Sequence, residues 1–303
     1  MSLDTNKILD RRKLKRSRAL WRGIAVTAVG LVLIMALGRL DGLSGQAHIA
    51  TVGVTKIIVD DRDRLKLLQS IAEDPDVKAL IVTINSPGGT VVGGESLYHA
   101  LREVAKQKPV VAVMRELATS AGYMIALGAD YIVARQSTIT GSIGVLIQST
   151  DMTGLLTKLG IKPEVVKSSP LKAQPNPFET FSVDARRASQ EVVTNMQDMF
   201  VGLVRDRRNM DDASLRKVSD GRIFTGGQAL TNGLIDAIGG EAAAVMWLET
   251  KKNLQKDLPV VEVAVNRENG ALREILEDLV GKTSFSERLR LDGLISLWHP
   301  NLR

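Results

Sequence analysis

Short apolar runs alternate with helical patterns over most of the chain. In the helical segments, leucines, isoleucines and valines recur at a spacing of three to four residues. Regular alternation of this kind favours βαβ units and a parallel sheet, and therefore an α/β fold. Strands are predicted at His48–Val59, Ala79–Ile84, Pro109–Met114, Tyr131–Ala134, Ile143–Ile147 and Val260–Val265, and helices at 61–73, 94–104, 183–208 and 241–252, with Ser182 as the N-cap of the third.

Two sharp turns each follow a predicted strand and precede a helix, which is where open α/β sheets place their sites. The first is Asn85–Gly89, where glycines without a Cβ let backbone N–H groups approach a ligand oxygen. The second is Ala118–Gly122, which places Ser120 at a helix start beside the N–H of Ala121. A hydroxyl nucleophile near N–H donors is what acyl transfer requires. Taken singly, each turn is more typical of an ordinary loop or a helix N-cap, and it is the occurrence of both that favours the catalytic interpretation.

Four motifs in order give the chain a family resemblance. They are Ile84–Gly89, Ser120–Tyr123, Thr140–Val145 and Gly221–Gly226. Across about residues 49–240 the chain resembles the signal peptide peptidase A family in its short, single-repeat form. The resemblance implies a Clp/crotonase-like spiral of βαβ units and a serine endopeptidase that degrades remnant signal peptides. The chain departs from the family at Ala121, where a second glycine is usual.

The nucleophile needs a base, and the chain has three histidines, at His48, His99 and His299. None lies within a few tens of residues after Ser120, where Clp-type proteases carry the triad histidine. A lysine is therefore the better candidate. The segment 164–172 is predicted to be a strand that leads into a Pro-containing loop. The resemblance places the general base in this segment, at Lys172, although the family usually has glycine where this chain has Ser169.

Lys167 is the alternative base, and a solvated surface lysine is the ordinary interpretation of either residue. A lysine accepts a proton only when its amine is neutral, which burial favours. Leu171, Phe178 and the walls of a peptide groove are expected to supply that burial. The predicted oxyanion donors are the N–H groups of Gly89 and Ala121, and the resemblance suggests that Ser142 orients the lysine amine.

The basic residues are concentrated at the N-terminus. Residues 1–22 contain eight Lys or Arg and two Asp, so they carry the full formal charge of +6. The remainder sums to zero, which argues against a broad nucleic-acid surface. The 16 residues of Gly23–Gly38 are uncharged and are predicted to form one transmembrane helix. The basic flank places the N-terminus in the cytoplasm and the catalytic domain on the outer, periplasmic face of a bacterial inner membrane. A cleaved signal peptide is the alternative.

Three regions follow from these patterns. Residues 1–45 form the basic tail, anchor and linker, residues 46–265 the Clp/crotonase-like peptidase domain, and residues 266–303 an extension of one or two amphipathic helices. The extension is expected to pack on the core or on a neighbouring subunit, and the helix 183–208 carries an apolar stripe suited to the same contacts. The chain has no cysteine, so disulfides and thiolate ligands are excluded.

The predicted protein is a membrane-anchored Ser/Lys peptidase that binds peptide substrates and the lipid bilayer. The resemblance implies that it forms a homo-oligomeric ring. No metal, nucleotide or other cofactor is expected, because no P-loop and no metal-ligand cluster is apparent. Two alternatives remain open at this point. A crotonase-type acyl-CoA enzyme would use the same glycine-rich oxyanion turn without a nucleophile. A non-catalytic membrane scaffold would keep the fold and not depend on Ser120 or Lys172.

Overall fold

A computed structural model of the protein describes residues 21–22, 25–30, 45–265 and 295–297. The chain divides into two units, Met1–Gln46 and Ala47–Arg303, and the elements named below belong to the second. The strands are β1 (His48–Thr55), β2 (Val77–Ser86), β3 (Gly88–Thr90), β4 (Val110–Thr119), β5 (Tyr131–Ala134), β6 (Ile139–Gly141), β7 (Ile223–Thr225), β8 (Ala237–Ile238), β9 (Val260–Glu262) and β10 (Ile295–Leu297). The helices are α1 (Arg62–Glu73), α2 (Val91–Ala105), α3 (Ala121–Ala126), α4 (Thr153–Lys158), α5 (Val183–Arg208), α6 (Asp212–Val218), α7 (Gly226–Thr231) and α8 (Glu241–Lys251).

The main sheet has eight strands, with the path β7-β6-β4-β2-β1-β9 and a branch in which β4 also pairs with β5 and β5 with β8. Its pairs are parallel except for β6 with β7. The strand β4 is the branch point, because its first half pairs with β5 and its last residues, Leu117–Thr119, pair with β6. Parallel strands point their carboxyl ends to one edge of the sheet. The turns that follow β2 and β4 therefore meet at that edge.

The sheet is covered on both faces, as a parallel sheet requires. One face contributes Leu80, Val82 and Ile84 of β2 to a large apolar cluster with helices α1, α2 and α3. The other contributes Ala79 and Ile81 of the same strand to a smaller cluster with α8. Successive side chains of β2 thus enter opposite cores. This explains why the strand reads in the sequence as a continuous apolar run and not as an alternating one.

The predicted α/β architecture is confirmed, and the mostly parallel sheet fits a Clp/crotonase-like fold. Helix α5 begins after the N-cap Ser182, whose side chain accepts from the N–H of Ala185 at 3.2 Å, as predicted. Two strand predictions are wrong. Residues 143–147 form no regular strand, and neither does the apolar run 164–167 before Lys172.

The predictions for the two ends of the chain fall largely outside the described residues. Residues 21–22 and 25–30 are helical, but the rest of the predicted span Gly23–Gly38 is not described. Within the described residues, no helix is both long enough and apolar enough to cross a membrane. In the C-terminal extension, Ile295–Leu297 forms a strand where an amphipathic helix is predicted from the sequence. A strand replaces the helix because these residues pair with β3.

Candidate active site

The backbone of Ser120 adopts a conformation that is rare for a residue with a side chain. Ser120 directly follows β4 and precedes α3, with φ 58° and ψ −120°, and it is only 1% exposed. Non-glycine residues are held in such positive-φ turns at a cost, and the strain is concentrated at functional sites. The side chain of Ser120 makes no capping hydrogen bond to α3. The interpretation of this serine as an ordinary N-cap is therefore not supported.

Packing on either side of the turn holds Ser120 in this strained position. Its N–H donates to the carbonyl of Gly141 at 2.8 Å, and its carbonyl accepts from Met124 at 2.9 Å. Behind it, a Cβ on Gly94 of α2 would lie 3.0 Å from the Cβ of Ala121. Helix α2 can pack so closely on α3 because Gly94 has no side chain. A sharp, strained strand-to-helix turn is the geometry that presents the nucleophilic serine in α/β-hydrolases.

The glycine turn after β2 directs one N–H group towards its outer edge. The N–H of Ile58 donates to the carbonyl of Gly88 at 2.9 Å, and the N–H of Thr90 donates to the carbonyl of Ile58 at 2.8 Å. Ile58 thus pairs with Gly88 and Thr90, the two neighbours of Gly89. Because successive residues of a strand direct their N–H and C=O groups to opposite edges, those of Gly89 point away from Ile58. That direction suits an oxyanion donor.

The two predicted turns lie next to each other in the structure. Ser86 is the register partner of Ala118, and the hydroxyl of Thr119 donates to the carbonyl of Pro87 at 3.0 Å. Ala121 is the first residue of α3 and is fully buried. Its N–H has no acceptor within the helix, because the first turn of a helix leaves its N–H groups unpaired internally. The structure thus brings the glycine turn, Ser120 and Ala121 together.

Ser142 is held near the same turn by the backbone. It follows Gly141, whose carbonyl accepts from Ser120, and its own N–H donates to the carbonyl of Arg222 at 2.8 Å. Like Ser120 it has a positive φ, 51°, and it is 8% exposed. The structure therefore places Ser142 on the segment that braces Ser120, which is compatible with the predicted orienting role.

Lys172 is exposed in the single chain. It lies in a turn closed by its own N–H donating to the carbonyl of Ser169 at 3.1 Å, within a segment that lacks regular strands. The two side chains expected to bury its amine, Leu171 and Phe178, are about half exposed at 48% and 51%. In a single chain, these two residues therefore do not form the apolar environment expected to keep the lysine amine neutral.

The alternative base, Lys167, is more buried but is paired with a carboxylate. Its amine bonds Glu179, and the two side chains are 14% and 26% exposed. The side-chain amide of Gln174 donates to the same carboxylate oxygen. These hydrogen bonds, with that of Lys167 the strongest, hold the pKa of the Glu179 carboxyl below its usual range. Glu179 is absent from the residues predicted for the site, because nothing in its local sequence marks a side chain that pairs with a residue twelve positions away.

The outer edge of β3 is occupied by the C-terminal part of the chain. The strand β10 pairs with β3 antiparallel, with Ser296 opposite Gly89 and Leu297 opposite Gly88. The edge that carries the Gly89 N–H therefore accepts an extended peptide segment. No local sequence signal could have predicted this pairing across some 200 residues of chain.

Comparison with known proteins gives a consistent result. The model of the family described as Peptidase family S49 matches residues 102–255, which include Ser120, Ser142, Lys172 and Glu179. A protein of Enterococcus faecium named "Putative signal peptide peptidase SppA" is 37% identical over 199 residues, covering 65% of this chain and 58% of that protein.

Two further relatives extend the comparison. "Putative protease slr0021" of Synechocystis sp. is 35% identical over 216 residues, which cover 71% of this chain and 78% of that protein. "Serine protease SPPA, chloroplastic" of Arabidopsis thaliana is 31% identical over 246 residues, which cover 76% of this chain and 34% of that protein. The chain thus spans most of one of these relatives, over half of the Enterococcus protein, and about a third of the plant protein.

Proposed function

Because the chain belongs to peptidase family S49, in the short form of the signal peptide peptidase A family, and is a serine peptidase, we propose that Ser120 is its nucleophile. The observation that carries this assignment is the strained, buried turn of Ser120, fixed beside the glycine turn of β3. The same membership disfavours the acyl-CoA enzyme and the non-catalytic scaffold. We further propose that Lys172 completes a Ser/Lys dyad, that the substrates are cleaved signal peptides and that the protein is attached to a membrane.

In the proposed reaction, the neutral amine of Lys172 takes the proton of the Ser120 hydroxyl as its oxygen attacks a peptide carbonyl carbon. The N–H groups of Gly89 and Ala121 stabilise the resulting oxyanion. When the C–N bond breaks, the ammonium of Lys172 returns that proton to the leaving amine, and an ester on Ser120 remains. Water attacks this ester while Lys172 takes its proton, and transfer of that proton to Ser120 restores the enzyme.

The substrate is an extended peptide that pairs with β3. Support for this binding mode comes from the chain itself, whose residues Ile295–Leu297 already pair with that strand. Strand addition gives affinity through main-chain hydrogen bonds and is tolerant of sequence. Such tolerance suits an enzyme that degrades varied apolar segments such as cleaved signal peptides.

A neighbouring copy of the chain covers Lys172. Support comes from a run of exposed apolar side chains around it, since soluble surfaces seldom cluster such residues without a partner. They are Leu146, Met152, Leu155, Leu159, Ile161, Val165, Val166, Leu171 and Phe178. Burial of this surface in a homo-oligomeric ring removes water from the lysine amine and favours its neutral form. It also supplies partners for the two predicted strands that a single chain does not form.

The N-terminal basic tail and apolar segment attach the enzyme to a membrane. The support is the sequence pattern, in which eight basic residues precede sixteen uncharged ones. A single-pass anchor with the peptidase domain on the outer face of the inner membrane keeps the site close to the bilayer, where remnant signal peptides are found.

The proposal is tested by hydrolysis of fluorogenic, apolar, signal-peptide-like peptides by the full-length chain in mild detergent, compared with Ser120→Ala and Lys172→Met. Activity in the parent and loss of at least about 10³-fold in both variants supports the Ser/Lys dyad. Full activity of Lys172→Met contradicts the assignment of the base. Full activity of Ser120→Ala contradicts the assignment of the nucleophile.

A further inference from the structure

The loop that carries Lys172 is closed by charged and amide side chains. Lys167 stands at its start and Glu179 at its end, and their side chains form an ion pair with little solvent exposure. The amide of Gln174, from within the loop, donates to the same carboxylate. In the sequence, Lys172 lies between Lys167 on one side and Gln174 and Glu179 on the other. The position of its amine therefore depends on how firmly they hold the loop.

A second set of hydrogen bonds extends this network towards Lys172. The side-chain amide of Asn176 donates to the carbonyl of Ala173, the residue after Lys172, at 2.9 Å. The side-chain oxygen of Asn176 accepts from the N–H of Phe178, also at 2.9 Å. The carbonyl of Pro177 in turn accepts from the N–H of Met152, which ties the loop to the start of α4.

The ion pair is buried more deeply than the apolar side chains around it. Lys167 is 14% exposed, whereas Leu171 and Phe178 of the same loop are about half exposed. The centre of this loop is therefore ionic, not hydrophobic. Loss of either partner removes the contact that joins the two ends of the loop.

Building on the function proposed above, we propose that the Lys167–Glu179 ion pair is a clamp that positions the loop carrying Lys172. In this role Glu179 is a positioning residue for the peptidase reaction and does not touch the substrate. Lys167 serves as the structural cation of the clamp and not as the general base. Without the clamp the loop samples many conformations, and the amine of Lys172 is seldom within reach of Ser120.

The experiment compares Glu179→Gln, Lys167→Met and the double variant with the parent, all as full-length chains in the same detergent. Asp184→Asn is the matched control, because Asp184 also pairs with a nearby basic residue, Arg187, but both side chains are about 70% exposed. Peptide hydrolysis gives kcat and KM separately. Limited trypsin digestion gives the rate of cleavage after Lys172, which reports loop opening independently of activity.

We expect Glu179→Gln to lower kcat by about 10- to 100-fold with little change in KM, because misplacing a catalytic group affects the chemical step more than substrate binding. Trypsin cleavage after Lys172 accelerates in this variant. Lys167→Met and the double variant also lack the clamp, so their kcat falls to about the level of Glu179→Gln and the losses of the two single changes do not add. Asp184→Asn behaves as the parent in both assays.

Three results overturn the clamp. The first is a parent-like kcat in Glu179→Gln. The second is a double variant whose kcat returns to that of the parent, because the unpaired charge and not the missing clamp would then explain the loss in Glu179→Gln. The third is complete inactivity of Lys167→Met and of the double variant while Lys172→Met remains active. That result identifies Lys167 as the general base. The trypsin result in Glu179→Gln tests loop closure even if the dyad itself proves wrong, so the two proposals fail separately.

Discussion

Replacing Gly89 with alanine is the sharpest single test of the oxyanion site. A Cβ at this position would lie 1.9 Å from the carbonyl oxygen of Ile58 and 2.5 Å and 2.6 Å from its nitrogen and carbonyl carbon. All three atoms belong to the backbone, so no side-chain rotation relieves the clash. The β3 strand must move away from Ile58, and the Gly89 N–H moves with it.

The structure allows the size of both effects to be estimated. Movement of β3 breaks the two hydrogen bonds between Ile58 and the residues flanking Gly89, which together contribute about 2 kcal/mol to the free energy of unfolding. Loss of one oxyanion donor lowers kcat by about 10²–10³-fold, equivalent to about 3–4 kcal/mol in the transition state. Activity is therefore expected to fall far more than stability.

The assay is peptide hydrolysis with kcat and KM resolved, alongside urea unfolding followed by circular dichroism. Gly202→Ala is the matched control, because a Cβ there meets no atom within 4 Å outside its own helix, α5. We expect this control to keep the parent kcat and to gain up to about 1 kcal/mol of stability, since alanine is favoured over glycine in a helix. A parent-like kcat in Gly89→Ala refutes the oxyanion assignment. A rise in KM alone assigns β3 to substrate binding only.

Three further predictions concern the scaffold and the clamp. Tyr123→Phe removes the hydroxyl that donates to the buried carbonyl of Leu234 at 2.9 Å, so urea unfolding is expected to show a loss of about 1–3 kcal/mol; unchanged stability contradicts the importance of this bond. Ser182→Ala removes the N-cap of α5 and is expected to cost about 1 kcal/mol, while Ser182→Asp costs little; equal losses in both variants refute a capping role. Because the pKa of Glu179 is lowered, the clamp adds stability above the ordinary glutamate pKa and loses it as the pH falls through the lowered value. Hydrogen exchange of residues 168–178, corrected for intrinsic rates, is therefore expected to accelerate in acid. An identical response in Glu179→Gln excludes this group as the cause.

The elements best predicted from sequence are those whose signals are local. The strand β2 is a continuous apolar run because both of its faces are buried, and the start of α5 is marked by Ser182, which caps it. The proximity of the two turns is also predictable, since parallel strands end at a common edge. Ser120 and Gly89 can be selected from the sequence for that reason.

The features that escaped prediction depend on distant partners. The apolar runs at 143–147 and 164–167 have strand-like composition but form no regular strand in the described part of the chain, because composition alone does not create a ladder. The strand Ile295–Leu297 shows the converse case, because its pairing with β3 overrides a helical pattern. The positive φ of Ser120 and the bond between Lys167 and Glu179 are likewise set by surroundings that no short window of sequence contains.

The order of strands in the main sheet affects how the protein is made. The strand β1 lies between β2 and β9, and Ile49 on β1 is the register partner of Val260 on β9. During synthesis β1 emerges early, but one of its edges stays unpaired while the intervening residues are added, which takes on the order of 10–40 s at bacterial and eukaryotic ribosome speeds. An unpaired edge is a template for aggregation. Chains truncated before residue 260 keep that edge open permanently, so C-terminal deletions that enter β9 are expected to yield insoluble protein.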